Sequence, residues 1–82
     1  MTQAEIYSQL TEVMRDVFDD DTLEIGSATT AEDVPGWDSQ AHITLIVATE
    51  LHFGIRFRTA ELEGLRNVEE LVNVIARKCA TV

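Results

Sequence analysis

The sequence predicts an all-α fold, a small four-helix bundle of three main helices and one short helix, with a long loop between the first and second helices. Three observations predict it. Apolar residues recur at spacings of three and four in separate stretches, the signature of helices that bury one face. Capping residues stand before those stretches, and a glycine stands where the central one should stop. At 82 residues the chain makes a single domain, residues 1–82, around one modest core. A domain this small buries only about 60% of the surface its unfolded chain exposes, so its stability is narrow.

The first helix opens at Thr2, which with Glu5 forms a capping box. Ile6, Leu10, Val13, Met14 and Val17 then share one face, and the helix ends near Phe18. The next stretch, "DDDTLEIGSATTAEDVPGWD", residues 19–38, has no sustained period and is rich in Asp, Thr and Gly. A loop of this length inside a compact domain is usually functional or held down by packing. Leu23 and Ile25 are expected to tuck onto the helices and pin it.

The second helix begins at Ser39 with Asp38 as its N-cap and stops at Gly54. Its apolar residues (Ile43, Leu45, Ile46, Val47, Ala48, Leu51, Phe53) wrap more than one stripe. "HITLIVATEL" also admits a strand reading, but its length, the Asp cap and the Gly stop favour helix. An extended link follows, with Ile55 and Phe57 facing inward, and then a short helix from Thr59. Asn67 and Glu70 form a second capping box, and Val68, Leu71, Val72 and Ile75 line the last helix to about Cys79. No internal repeat or low-complexity segment interrupts this order.

Fifteen acids against six bases give a formal charge of −9. Nucleic-acid phosphates and anionic lipid are repelled by such a chain, and basic patches on partners are attracted. No apolar run approaches the roughly 20 residues that span a bilayer. "MTQAEIYSQLTEV" lacks the features of a secretory signal. Cys79 is the one cysteine, which excludes a disulfide framework and makes a reducing, cytoplasmic setting the expectation.

Asp38, Ser39 and His42 are the residue types of a nucleophilic triad, but their spacing opposes that use. A triad needs one imidazole nitrogen facing the serine and the other facing the carboxylate, whereas these three crowd one helical turn. His42 reads instead as a polar surface residue. His52, ten residues on, falls on a different face, so the two histidines do not make a metal site. A calcium loop starting at Asp21 places Gly26 and Glu32 correctly but puts Leu23 and Ile25 where side-chain oxygens are required. The reading is therefore no enzyme and no metal.

"GWDSQAHITLIVATELHFGIRF" resembles the phosphopantetheine attachment region of acyl carrier proteins. Asp38-Ser39 matches the attachment dipeptide, Phe53-Gly54-Ile55 matches the end of that helix, and "NVEELVNVIARK" is similar to the family's last helix. The resemblance spans essentially the whole chain. It implies that a phosphopantetheinyl transferase attaches phosphopantetheine to the Ser39 hydroxyl, with Asp38 as motif residue and helix cap. The arm would hold acyl intermediates as thioesters and present them to acyl-activating, synthase or acyltransferase enzymes with basic or apolar docking patches.

The chain departs from the family pattern in two places. Gln40 replaces the usual leucine after the serine, and Leu51 and His52 stand where the family often has acids. The partner surface is expected at Gln40, Thr44, Glu50 and Leu51, on a monomeric carrier of a specialised lipid or secondary-metabolite pathway. An aminoacyl or peptidyl carrier of a nonribosomal-type pathway would use the same serine and arm. An unmodified helical interaction module would use Ser39 only to start a helix. Trp37 either packs the first loop against the second helix or meets a partner, and the buried habit of aromatic bodies favours packing. Ala48 and Thr49 either line a space for cargo or simply pack the core.

Overall fold

In the computed structural model, which describes residues 2–80, Thr2 caps α1 (Gln3–Phe18) in both directions. Its hydroxyl accepts from the Glu5 N–H at 3.2 Å and the Glu5 carboxylate accepts from the Thr2 N–H at 3.1 Å. Helix α1 ends on Asp19, whose left-handed backbone (φ 50°) lets its N–H reach the Arg15 carbonyl. A single 3₁₀ turn (Ala31–Asp33) lies within the loop, followed by α2 (Ser39–Phe53), the short α3 (Thr59–Glu63) and α4 (Val68–Ala80). The four helices are those the sequence periodicity predicts, and there is no strand among the described residues.

Helix α1 lies against both α2 and α4. The shared core joins Ile6, Leu10, Val13 and Met14 to Leu45 and Ile46 of α2 and to Val68, Leu71, Val72 and Ile75 of α4. Ile55 closes it from the link, and Phe57 packs half-buried beside it. Lys78 of α4 bonds Glu61 of α3 at 2.8 Å and ties the short helix down. That ammonium, then the Arg58 backbone N–H, hold the Glu61 carboxyl below its ordinary range.

The long loop is pinned by side chains and by backbone. Leu23 and Ile25 pack on the core as expected, and the Arg15 Nε donates to the Leu23 carbonyl at 2.8 Å. The loop's own carbonyls finish α4: Thr29 accepts from the Val68 N–H at 2.8 Å and Ser27 from the Glu69 N–H at 3.2 Å. The start of α4 departs from the expected reciprocal box. Asn67 Oδ1 accepts from the Glu70 N–H, but the Glu70 carboxylate takes the Arg66 N–H, one residue earlier than the box would have it. The helix start is satisfied either way, because orphan N–H groups need an acceptor and not a particular pattern. Asp20, in the acidic run after α1, is likewise a turn residue: its carboxylate accepts both the Thr22 hydroxyl and N–H, which lower its pKa.

Candidate functional site

The turn before α2 sets the site. Pro35 and Gly36 occupy the second and third places of a turn closed by the Trp37 N–H on the Val34 carbonyl at 3.2 Å. Gly36 has φ +85°, which a side chain would strain, as in a type II turn. Val34 is buried, so the turn is anchored on its first residue. Asp38 then caps α2, its Oδ1 accepting from the Ala41 N–H at 2.8 Å, while its carbonyl takes the His42 N–H at 2.9 Å.

Ser39 is the first residue of α2 and is exposed. Its hydroxyl has no hydrogen-bond partner among the described residues, and the N–H groups of Ser39 and Gln40 are also unpaired. The N-terminal end of a helix carries partial positive charge, so this corner offers an open hydroxyl beside free donors.

His42 is not the surface residue its sequence context implied. It is half-buried, and the Trp37 indole Nε1 donates to its Nδ1 at 3.1 Å, with the two rings stacked at 6.0 Å. Trp37 also meets Phe18 of α1 at 5.8 Å, so it packs the loop between two helices, the first of its two readings. An indole N–H only donates, so Nδ1 must accept and the neutral ring carries its proton on Nε2. His42 therefore cannot turn Nδ1 toward Ser39 while this bond stands. His52 sits far along the helix, its Nε2 against Gln9 at 2.9 Å.

The expected partner residues separate into two kinds. Gln40, Thr44 and Leu51 are exposed on α2. Glu50 is half-buried, and its carboxylate accepts the Phe57 N–H at 2.8 Å, fastening the extended link. Two residues absent from the expected set share that exposed face: Ile43 and Val47 are 65% and 49% exposed, in line with Leu51 at 80%. The excess of apolar residues on α2, too many for one buried stripe, was the signal for them. Thr49 is fully buried with its hydroxyl on the Leu45 carbonyl at 2.7 Å, so it packs the core.

A cavity of about 60 Å³ opens beside the start of α2, lined by Ala31, Trp37, His42, Leu65, Arg66, Asn67 and Leu71. Ala48 and Thr49 are not among its walls. For Arg66 and Asn67, from the α3–α4 link, nothing in the sequence pointed to this cavity, because only the fold brings that link against α2.

A bundle of four helices that presents an exposed serine hydroxyl at a helix start suits a carrier, a protein that is acted upon. The chain is 30% identical over 78 residues to the acyl carrier protein of Petrotoga mobilis, covering 95% of this chain and 92% of that one. It superposes on the solution structure of the holo acyl carrier protein from Geobacter metallireducens with a TM-score of 0.87 and 40% identity, over 92% of this chain and 86% of that one. No family model matches it. The chain belongs to the acyl carrier protein family and is a carrier, not an enzyme. The family implies a phosphopantetheine group, and the residues at the start of α2 fit one: a free hydroxyl to esterify, with unpaired N–H groups beside it to meet the phosphodiester.

Proposed function

We propose that Ser39 is the phosphopantetheine attachment point and that the chain carries acyl intermediates for a specialised lipid or secondary-metabolite pathway. The observation that supports the attachment point is the state of Ser39: exposed, first in its helix, unbonded and without a free base beside it. A serine that acts as a nucleophile in its own right needs an internal base. A serine modified by a separate transferase needs only exposure and a fixed direction, which the Asp38 cap provides.

The Ser39 oxygen attacks the phosphorus of coenzyme A's pyrophosphate that bears the pantetheine. The P–O anhydride bond breaks, adenosine 3′,5′-bisphosphate leaves, and the hydroxyl proton passes to the transferase. When bound, the group supplies a long tether whose terminal thiol holds an acyl chain as a thioester. Asp38 keeps the helix start ordered, and the N–H groups of Ser39 and Gln40 are free to donate to the phosphodiester.

The partner surface is the outward face of α2: Gln40, Ile43, Thr44, Val47 and Leu51, with Glu50 at its edge. Its partners are the transferase and acyl-activating, synthase or acyltransferase enzymes whose docking patches are largely apolar. The formal charge of −9 works against self-association, in keeping with a monomeric carrier, and the lone cysteine agrees with a cytoplasmic one.

Intact-mass measurement after incubation with coenzyme A and a promiscuous phosphopantetheinyl transferase tests the assignment. Wild type gains one phosphopantetheine, and Ser39→Ala gains none while keeping the same helical circular dichroism. Modification of the alanine variant, or no modification of wild type by several transferases, refutes it.

A further inference from the structure

Resting on Ser39 as the attachment point, we infer that the cavity formed by Trp37, His42, Leu65, Arg66, Asn67 and Leu71 selects short cargo ending in a carboxylate over plain alkyl cargo. Ser39 and His42 occupy one helical turn, so the cavity adjoins the place where the arm is anchored.

The chemistry of the walls sets the class. Three of the lining side chains offer donors that nothing in the described structure satisfies. The Trp37 bond leaves His42 with its proton on Nε2. Asn67 spends its Oδ1 on the Glu70 N–H, so its amide NH₂ remains. Arg66 has no ion-pair partner among the described residues; Glu70 meets its backbone N–H and not its guanidinium. The acceptors of these side chains are already engaged, since His42 Nδ1 and Asn67 Oδ1 each receive a bond.

An alkyl tail entering here would desolvate those donors and return no acceptor, whereas a carboxylate accepts from all of them with charge-assisted bonds. Trp37, Leu65 and Leu71 meanwhile cover a methylene or two. The volume agrees: 60 Å³ is several times the roughly 10–15 Å³ that one water requires, so a short end group fits.

The experiment loads the full chain with free-thiol, hexanoyl or glutaryl phosphopantetheine from the corresponding coenzyme A derivatives, with transfer verified by intact mass. The indole N–H of Trp37, the chain's one tryptophan, and the Arg66 Nε–H are then followed by NMR. Glutaryl should displace both signals, while hexanoyl leaves the Arg66 signal at its free-thiol position. Arg66→Gln should remove at least half the glutaryl displacement at Trp37, and Arg66→Lys, which keeps the charge, should retain part of it. Hydrolysis of the glutaryl thioester should be slower in wild type than in Arg66→Gln, by up to about fivefold for a pair this exposed. Equal displacement by hexanoyl, an unchanged glutaryl effect in Arg66→Gln, or no displacement by either overturns the inference. Full displacement by the free-thiol form also overturns it, since the donors then serve the arm's own amide carbonyls. Absence of any mass gain at Ser39 is a separate result, which removes the carrier assignment and this inference together.

Discussion

The two faces of α2 carry similar side chains and meet opposite surroundings. Inward, Leu45 is fully buried and Ile46 nearly so, packed against α1 and α4. Outward, Ile43, Val47 and Leu51 follow one another at single turns and stand 65%, 49% and 80% exposed. The inner face stabilises the bundle because folding removes it from water; the outer stripe gains little from folding and is available to a partner. Apolar residues on this helix thus meet two separate environments, and only their direction tells which.

The sharpest way to break this comparison is the same substitution on each face. Leu45→Ala should cost about 2–5 kcal/mol, a transfer loss plus an unfilled cavity. Leu51→Ala should stay within about 0.5 kcal/mol, as an exposed position does. Chemical denaturation of both variants checks it, and equal losses would mean that Leu51 packs on the fold.

Binding should reverse the order. Leu51→Ala should weaken a cognate partner by about 1.5–3 kcal/mol if the side chain becomes fully buried in the complex. Glu50→Gln should cost less than about 1 kcal/mol, the scale of an exposed charge pair, because its carboxylate is already engaged by the Phe57 N–H. Titration against the natural partner decides it. A larger loss from Glu50→Gln, with binding that collapses in salt, would assign docking to charge and leave the apolar stripe idle.

The polar end of the helix gives a smaller effect. Trp37→Phe keeps an aromatic ring, smaller than the indole, and removes the donor to His42, a loss that by itself should cost about 0.5–1.5 kcal/mol. Imidazole ¹⁵N shifts supply the second readout: wild type holds the proton on Nε2, and the variant should become a mixture of tautomers.

Smallest is the tie between α3 and α4, which contrasts with both faces because it is electrostatic and only half-buried. The Lys78 ammonium, followed by the Arg58 N–H, lowers the Glu61 pKa from its ordinary 4.5. A depressed carboxyl stabilises the fold fully above its unfolded pKa and loses that contribution as pH falls through the folded value. Glu61→Gln should therefore flatten the acid limb of a stability–pH curve below about pH 4.5. It should not abolish that limb, because Glu5, bonded to Thr2, and Asp20, bonded to Thr22, are lowered in the same direction. An unchanged acid limb would show that the pair is open in solution.

Local chemistry was legible in the amino-acid order. Thr2 with Glu5, Asp38 before Ser39, and Gly54 after Phe53 start and stop helices through groups a few residues apart, and each does so in the structure. The core stripe of α1 followed from a period of 3.6, as did the core residues of α4. Ser39 could be singled out because a helix start and its cap are near neighbours in the chain. Leu23, Ile25 and Ile55 could be assigned to the core as apolar residues in otherwise polar links, but the order of residues could not decide most other relations across elements. Which apolar stripe of α2 faces inward depends on where α1 and α4 lie. His42 became half-buried because Trp37 folds back over it, and Glu50 turned structural because the link returns past it and offers its carboxylate the Phe57 N–H. Arg66 lines the cavity beside α2 because packing brings the α3–α4 link against that helix, with the loop carbonyls of Ser27 and Thr29 receiving the start of α4. Caps and periods act over one turn of chain, whereas pairing and burial act through space, and tertiary packing alone sets those distances.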